Sequence, residues 1–360
     1  MQIYLMKRVL LIIPTLFVIM LINFTIIQLA PGGPVEKFIA QLNHVNQSAE
    51  ASSFSGISDN VDLSDFNKAE NSADKALIDE EIAEKINKLY GFDKGFWERF
   101  FMMLKKFLVF DFGESFYQDK KAVDLIAEKL PVSLSLGLWT TLLVYLISIP
   151  LGIKKALQDG SKFDIYSSFV VSVGHAIPGF LFAVLLIVLF ASGNFMKIFP
   201  LRGLVSDNFS ELSFIGKIAD YFWHLTLPII AMTIGGFASL TFFVKNSFIE
   251  EINKQYVLTA YAKGLHDKRV LYGHIFRNAM MIVIAGIPAA FIGVLFTGAM
   301  LIEIIFSLDG LGLLGYEAVM SRDYPVMFAS LYFFTLLGLV VNIISDLTYK
   351  IVDPRVNFNR

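Results

Sequence analysis

The chain has 360 residues, of which 55% are hydrophobic and only 17% are charged, whereas about a quarter of the residues in a soluble domain carry charge. So few charges indicate that much of the protein surface faces lipid. The formal net charge of −2 gives nucleic-acid binding no electrostatic support. The absence of cysteine excludes disulfides, thiol chemistry and cysteine metal sites.

Six apolar runs are long enough to cross a bilayer, which takes roughly 20 residues. None contains Lys, Arg or Glu, and the single Asp, Asp346, lies beside a helix end. We therefore predict an all-α polytopic membrane protein with six transmembrane helices. The first run follows Lys7 and Arg8, but it is longer than the roughly 7–15 apolar residues of a signal peptide, so we expect a retained anchor. The runs are Val9–Leu29, Val132–Ile153, Tyr166–Phe190, Tyr221–Val244, Ala279–Leu301 and Val326–Leu347.

The distribution of Lys and Arg predicts that both termini lie in the cytoplasm, because short cytoplasmic loops are enriched in these residues. With this orientation, most basic residues of the short segments are cytoplasmic. These are Lys7, Arg8, Lys154, Lys155, Lys162, Lys245, Lys254, Lys263, Lys268, Arg269, Arg277, Lys350, Arg355 and Arg360. The two short external loops hold only Lys197, Arg202, Lys217 and Arg322.

Three regions follow one another along the chain. Residues 1–30 form the N-terminal transmembrane helix, and residues 31–131 form an external, periplasmic lobe. Residues 132–360 form a core with the other five transmembrane helices. That core includes a long cytoplasmic loop at residues 245–278.

The external lobe is expected to be largely helical, with one exception. Residues 43–75 are rich in Ser, Asn, Asp and Ala and poor in apolar residues, which predicts a flexible insertion. Apolar periodicity then predicts a helix that starts near Ala76 and stops at Gly91. A second helix is expected over Phe96–Val109.

The cytoplasmic loop at residues 245–278 contains good helix formers up to Gly264, which can end a helix in the left-handed conformation. Asp267 is a residue type that starts helices, so a second short helix is expected there. Spacing alone favours an ordinary amphipathic surface helix, and the alternative is a docking knob for a cytoplasmic partner.

The segment Gln255–Gly264, continued through His266, His274 and residues 277–279, resembles the coupling loop of ABC importer permeases of the dipeptide and oligopeptide class. The broad importer pattern has Glu where this chain has Leu258, although the peptide-permease branch usually lacks that Glu too. Other fragments resemble the same family in the same order. They are residues 30–34, 90–94, 110–115, 303–307, 310–312, 322–325 and 353–355. Residues 200–203 and the long insertion resemble the microcin C and peptide branch.

The resemblance implies a transmembrane permease subunit of an ATP-binding-cassette importer that moves peptides or peptide-like compounds of the microcin C type into the cytoplasm. It implies a second homologous permease, cytoplasmic ATPase subunits that hold ATP and magnesium, a periplasmic peptide-binding protein and the bacterial inner membrane as partners. No cofactor is expected on this chain. The residues assigned to ATPase coupling are Tyr256, Leu258, Thr259, Ala260, Ala262, Lys263, Gly264 and Leu265.

Polar residues on the predicted spans are candidates for a wet substrate pathway. They are Asn23, Gln28, Thr140, Ser172, His175 and Asn342. A neutral His175 bonded to a neighbouring helix is the ordinary alternative to a functional role. Arg202, Glu303 and Arg322 are candidates for contact with the external binding protein. For Glu303, pairing with Arg322 is the simpler explanation.

Proline and glycine predict local features of the spans. Pro178 and Pro228 are expected to kink their helices. Gly235 and Gly236 are expected to let a neighbouring helix approach closely.

Several sequence signals of catalysis are absent. There is no Gly-rich Walker loop, no metal-ligand spacing of His, Asp or Glu, and no His-Glu-x-x-His motif, so neither a catalytic nor a metal-binding residue is predicted. The span interiors lack Asp and Glu, which argues against a proton-coupled carrier. A stand-alone secondary transporter or channel for a small polar solute remains the alternative. A membrane hydrolase is less favoured, because the sequence has no catalytic constellation.

Overall fold

The computed structural model describes residues 2–29 and 94–352, except residues 119, 194 and 294–299. This part is almost entirely helical, and its only extended pairing is an isolated antiparallel bridge between Glu114 and Lys121. The flexible insertion, the helix expected near Ala76 and the fragments at 30–34 and 353–355 lie outside the described residues.

The helices have the following bounds. They are α1 (Gln2–Leu29), α2 (Phe96–Phe107), α3 (Ala122–Leu157), α4 (Lys162–Ala176), α5 (Gly179–Phe190), α6 (Phe214–Ile252), α7 (Gln255–Ala262), α8 (Asp267–Val270), α9 (Phe276–Ala285), α10 (Ile287–Gly293), α11 (Met300–Ile305), α12 (Leu311–Ser321) and α13 (Tyr324–Val352). A π-helical turn at Leu271–Ile275 joins α8 to α9.

Five spans in the described part are long and apolar enough to cross a membrane: α1, α3, α6, the run Asp267–Gly293 and α13. The bent pair of α4 and α5 makes a sixth when the two are taken as one span. The prediction of an all-α membrane fold is therefore confirmed, and its count of six depends on this pair.

The third predicted span, Tyr166–Phe190, is broken rather than continuous. α4 and α5 meet at an angle of 90°. Pro178 has no N–H to donate and disfavours helical geometry in the residue before it, so Ile177 is extended, with φ −83° and ψ 118°. The kink expected at Pro178 is thus a complete break, whereas α6 continues through Pro228.

Two compact units divide the chain. The larger unit contains residues 1–8, 130–313 and 337–360, and the smaller contains residues 9–129 and 314–336. In the larger unit, one apolar core joins α3, α5, α6 and α11, and a second joins the end of α6 to α7, α8 and α9. The smaller unit contains a cluster of aromatic side chains from α1, α2 and the beginning of α13.

Helices α3 and α6 approach each other closely at Gly152. A Cβ atom on Gly152 would lie 2.7 Å from the Val244 Cβ and 2.8 Å from the Thr241 carbonyl oxygen, so only glycine permits this contact. The close helix approach expected at Gly235 and Gly236 is less tight than the contact at Gly152. A Cβ on Gly236 would meet Val144 at 3.4 Å, and one on Gly235 would meet nothing within 4 Å.

Candidate functional site

The predicted coupling segment forms the exposed helix α7, which has one buried and one exposed face. Val257 and Ala260 are buried in the apolar core shared with α6, α8 and α9. On the opposite face, the side chains of Leu258 and Tyr261 are 66% and 44% exposed. Two large apolar side chains in water on a firmly backed helix are typical of a docking surface. We call this segment, Gln255–Leu265, the knob.

The other predicted coupling residues divide between these two faces. Thr259, Ala262, Lys263 and Gly264 are exposed, whereas Leu265 is half-buried against the core. The knob therefore presents a narrow surface, and the rest of the segment attaches it to the helices behind.

Gly264 follows the end of helix α7 and terminates it, as the sequence predicts. Its φ is +77°, in the left-handed region that favours glycine. Its N–H donates to the Tyr261 carbonyl at 2.8 Å, and the Leu265 N–H donates to the Ala260 carbonyl at 3.3 Å. These bonds satisfy carbonyls at the end of α7 in the manner of a glycine C-cap.

The restart of the helix after Gly264 differs from the prediction by one residue. His266, not Asp267, is the N-cap of α8, and its ring nitrogen accepts from the Lys268 N–H at 3.4 Å. Asp267 instead occupies the first helical turn, where its negative charge suits the helix dipole.

Tyr256 ties the knob to the helix that precedes it. Its hydroxyl donates to the Glu251 carboxylate, with 2.7 Å between the oxygens, and also bonds to the Asn278 side chain on α9. Burial raises the pKa of the Tyr256 hydroxyl, and the adjacent Glu251 adds to this effect. A displacement of the knob therefore pulls on both α6 and α9.

A buried charge cluster joins the ends of three spans, α3, α4 and α6. The Lys155 ammonium on α3 lies 3.0 Å from the Asp164 carboxylate on α4. The other Asp164 carboxylate oxygen lies 2.7 Å from the Lys245 ammonium on α6, which also contacts Asp159 at 2.8 Å. Lys155 donates further to the hydroxyls of Ser167 and Ser168.

The sequence did not reveal this cluster. In the sequence, Lys155 and Lys245 contribute only to the prediction of membrane orientation, as basic residues of loops. In the structure, the Lys155 side chain is completely buried. A basic residue at the end of a span has the same local pattern whether it faces water or a carboxylate, so no sequence signal separates the two cases.

A cavity of about 770 Å³ lies among α3, α5, α6, α10 and α11 of the larger unit. Its lining is mostly apolar, with hydroxyls from Thr140, Thr141, Tyr145 and Ser239. The Thr141 hydroxyl is buried and has no hydrogen-bond partner among the described residues, whereas the Thr140 hydroxyl contacts the Met232 sulfur at 3.8 Å. A buried hydroxyl without a partner beside an open volume is the arrangement expected of a ligand site.

Of the predicted pathway residues, only Thr140 lines this cavity. Ser172, His175 and Asn342 are exposed on this chain, and Asn23 is half-buried on α1. Gln28 belongs to the last turn of α1, whose side chains lie outside the described part.

The expected pairing of Glu303 with Arg322 is wrong. The Glu303 side chain is completely buried rather than exposed, and its carboxylate accepts from the Ser133 hydroxyl and the Leu313 N–H, both at 2.8 Å, instead of pairing with Arg322. Burial raises the pKa of Glu303. In this structure Glu303 is therefore not presented to an external protein. Arg202 is exposed, and Arg322 is half-buried with a φ of +60°.

Two fragments singled out in the sequence, residues 110–115 and 322–325, meet in the smaller unit. The buried Asp323 carboxylate accepts from the Ser115 hydroxyl and from the Phe116 N–H. The Tyr117 hydroxyl donates to the Ser321 carbonyl at 2.7 Å. Burial raises the pKa of Asp323. We call this set of contacts the latch.

The described residues contain no group of three or more side chains that could hold a metal ion. Residues 148–358 match the family described as "Binding-protein-dependent transport system inner membrane component". The chain belongs to this family and is an inner-membrane permease subunit of an ABC importer, a class that works with an ATPase and a binding protein.

Individual relatives agree over almost the whole chain. It is 52% identical to the inner membrane ABC transporter permease protein YejB of Escherichia coli O157:H7, covering 99% of this chain and 98% of that protein. It is 54% identical to the peptidoglycan transport system permease protein YejB of Agrobacterium fabrum, with the same coverage. The oligopeptide transport system permease protein AppB of Bacillus subtilis is 31% identical, over 99% of each chain.

The fold also resembles a solved structure of the MetNI methionine ABC transporter in inward-facing conformations. The TM-score is 0.50 at 16% identity, covering 64% of this chain and 97% of that chain. At this identity the likeness supports the fold alone.

Proposed function

We propose that this permease carries peptides or peptide-like compounds into the cytoplasm and that a partner ATPase drives it through the knob. The observation that carries the proposal is the exposed pair Leu258 and Tyr261 on a helix anchored to an apolar core. The ATPase would bind ATP and magnesium. This chain, which has no Walker motif in its sequence, would contribute no hydrolytic residue.

Coupling would proceed through the contacts behind the knob. When the ATPase closes, its groove would displace α7, and the Tyr256 bonds would transmit this displacement to α6 and α9. The charge cluster would make the cytoplasmic ends of α3, α4 and α6 move together, as in a rigid-body rocking transition. With this placement, both chain termini lie in the cytoplasm.

The substrate class rests on the relatives and on the cavity. The names of the relatives include oligopeptide, dipeptide and peptidoglycan transport, and these substrates share a peptide portion. The cavity suits an apolar side chain, with hydroxyls of Thr140, Thr141 and Ser239 available to peptide groups. Ser172, His175 and Asn342 are available to line a path formed with a second homologous permease.

On the external side, Arg202 and Arg322 are each proposed to contact the periplasmic binding protein. Residues 31–131, apart from helix α2, would form the periplasmic lobe. The core at residues 132–360 would hold the translocation path.

The proposal is tested by uptake of a labelled tripeptide into proteoliposomes that contain this chain, its partner permease, the ATPase and the binding protein. Uptake is expected only with ATP and the binding protein. A muropeptide fragment that competes would extend the class to peptidoglycan fragments. Uptake that needs an ion or proton gradient and ignores ATP would show instead a secondary transporter.

The cavity is tested by two variants in the same assay. T141V removes the unpartnered hydroxyl at nearly constant shape, so it is expected to leave stability unchanged and to raise KM for uptake. G235L fills the cavity from α6 and is expected to abolish uptake. A T141V variant with wild-type KM and a fully active G235L variant would place the substrate path elsewhere.

A further inference from the structure

Helix α2 has three distinct faces, although the sequence places it in the external lobe. Phe96, Phe100 and Phe107 lie on a face packed against other helices. Glu98, Lys105 and Lys106 lie on a charged face. The third face is an apolar stripe at intervals of four, three and four residues, formed by Trp97, Phe101, Leu104 and Leu108. Within the stripe Trp97, Phe101 and Leu108 are 58%, 54% and 69% exposed.

The packed face contacts one end of two membrane-spanning helices, α1 and α13. The Phe100 ring lies 5.4 Å from Phe17 and 5.5 Å from Phe24 of α1. The Phe107 ring lies 5.7 Å from Tyr332 of α13. All of these residues belong to the smaller unit.

The positions of these contacts indicate depth in the membrane. The apolar span in α1 ends at Ile26, and Phe24 and Phe17 lie two and nine residues earlier, or about 3 Å and 13 Å along the helix axis. Tyr332 lies eight residues into α13, about 12 Å from its first residue. Contacts with two spans therefore place α2 within the half of the bilayer, about 15 Å thick, at this end of α1.

Exposed apolar side chains also occur on the part of α1 against which α2 packs. Ile22 and Ile26 of α1, on the same part of the span, are also exposed. A helix at this depth with an apolar stripe and a separate charged face has the pattern of interfacial amphipathic helices.

We propose that α2 is an interfacial helix whose stripe is covered by lipid acyl chains. The leaflet is the one at the C-terminal end of α1, which is the periplasmic leaflet in the proposed orientation. Lys105 and Lys106, at the last turn of α2, would reach phosphate groups of the lipid headgroups. The partner is thus the lipid surface itself.

The absence of cysteine from the chain permits a direct test. Single-cysteine variants F101C and L108C on the stripe, and K105C on the charged face as the matched control, are spin-labelled. Each is studied in the assembled transporter in lipid nanodiscs, with the cysteines of the other subunits removed. Collisions of the label with oxygen, which dissolves in lipid, and with a water-soluble nickel chelate are measured.

Labels at positions 101 and 108 are expected to have an oxygen-to-nickel accessibility ratio several-fold above that at position 105. A ratio at 101 and 108 equal to that at 105 would mean that the stripe faces water and would overturn the proposal. Low access for both reagents at 101 and 108 would overturn it too, because the stripe would then be covered by protein.

A second measurement does not depend on labels. The chain has three Trp, so the variant W139F/W223F leaves Trp97 alone in this subunit. In nanodiscs of the full chain, brominated acyl chains are expected to quench Trp97 fluorescence, and aqueous iodide is expected to have little effect. The reverse pattern would contradict insertion.

Discussion

The Lys155 ammonium and the Asp164 carboxylate lie 3.0 Å apart, with the Lys155 side chain fully buried. This pair connects the end of α3 to the first turn of α4, and Lys245 extends the connection to α6. A charge buried in this way is stable only while its partner is present, because an isolated ion away from water carries a large desolvation cost.

Replacement of Lys155 by Met is expected to destabilise the chain by about 1–3 kcal/mol, because the Asp164 carboxylate loses one of its two cationic partners and keeps Lys245. K245M should cost less, since the Lys245 side chain is partly exposed and water can replace part of its interaction. The measurement is the thermal unfolding of purified protein in detergent. The double variant K155M/D164L, which removes both charges, should recover part of the loss. Equal stability of K155M and wild type would contradict the assignment.

Gly310 and Gly312 are required by the buried Glu303 carboxylate. A Cβ atom on Gly310 would lie 2.3 Å from a Glu303 oxygen, so G310A is expected to destabilise the protein by about 1–3 kcal/mol through overpacking. Gly338, in α13, is the matched control, because its Cβ would meet nothing within 4 Å. G338A should leave the unfolding temperature unchanged or raise it. If the two variants unfold alike, the carboxylate does not occupy the position described.

Asp323 in the latch predicts a pH dependence of stability. Because its pKa is raised on folding, the folded state holds the proton more tightly than the unfolded state. Its contribution to stability is therefore full below the ordinary pKa of the group and decreases as pH rises through the interval up to the raised value. The difference in unfolding temperature between wild type and D323N should change over this interval and be constant above it. A difference that does not vary from pH 4 to 7 would contradict the raised pKa.

Sequence reasoning succeeds where the physical cause is local. Hydropathy over about twenty consecutive residues identifies the spans. Gly264 predicts a helix end in the left-handed conformation, because glycine has no Cβ atom and tolerates a positive φ. Sequence reasoning fails where the cause is distant in the chain. Glu303 is buried because Ser133, 170 positions away, supplies a hydroxyl, and the Asp164 carboxylate that pairs with Lys155 also binds Lys245, 81 positions further along the chain.

The break between α4 and α5 is an intermediate case. Pro178 predicts a disturbance, but whether a proline bends a helix or ends it depends on how the two halves pack. Both α4 and α5 pack against α6, which makes the 90° turn favourable here. The depth of α2 in the membrane is likewise not predictable from its own sequence, because it depends on the contacts of Phe100 and Phe107 with α1 and α13.

If an ATPase drives this permease through the knob, the conformation at Gly264 must matter for transport. G264V places a β-branched residue at a φ of +77°, which is strongly disfavoured, whereas G264N has similar bulk and tolerates this conformation. A Cβ at this position would meet nothing within 4 Å, so backbone conformation alone separates the two variants.

The measurement is ATP-dependent peptide uptake by the assembled transporter in vesicles, with ATP hydrolysis recorded in parallel. We expect G264V to lose most of its uptake and G264N to retain most of it. Wild-type uptake by G264V, in a complex shown to contain all subunits, would contradict coupling through the knob.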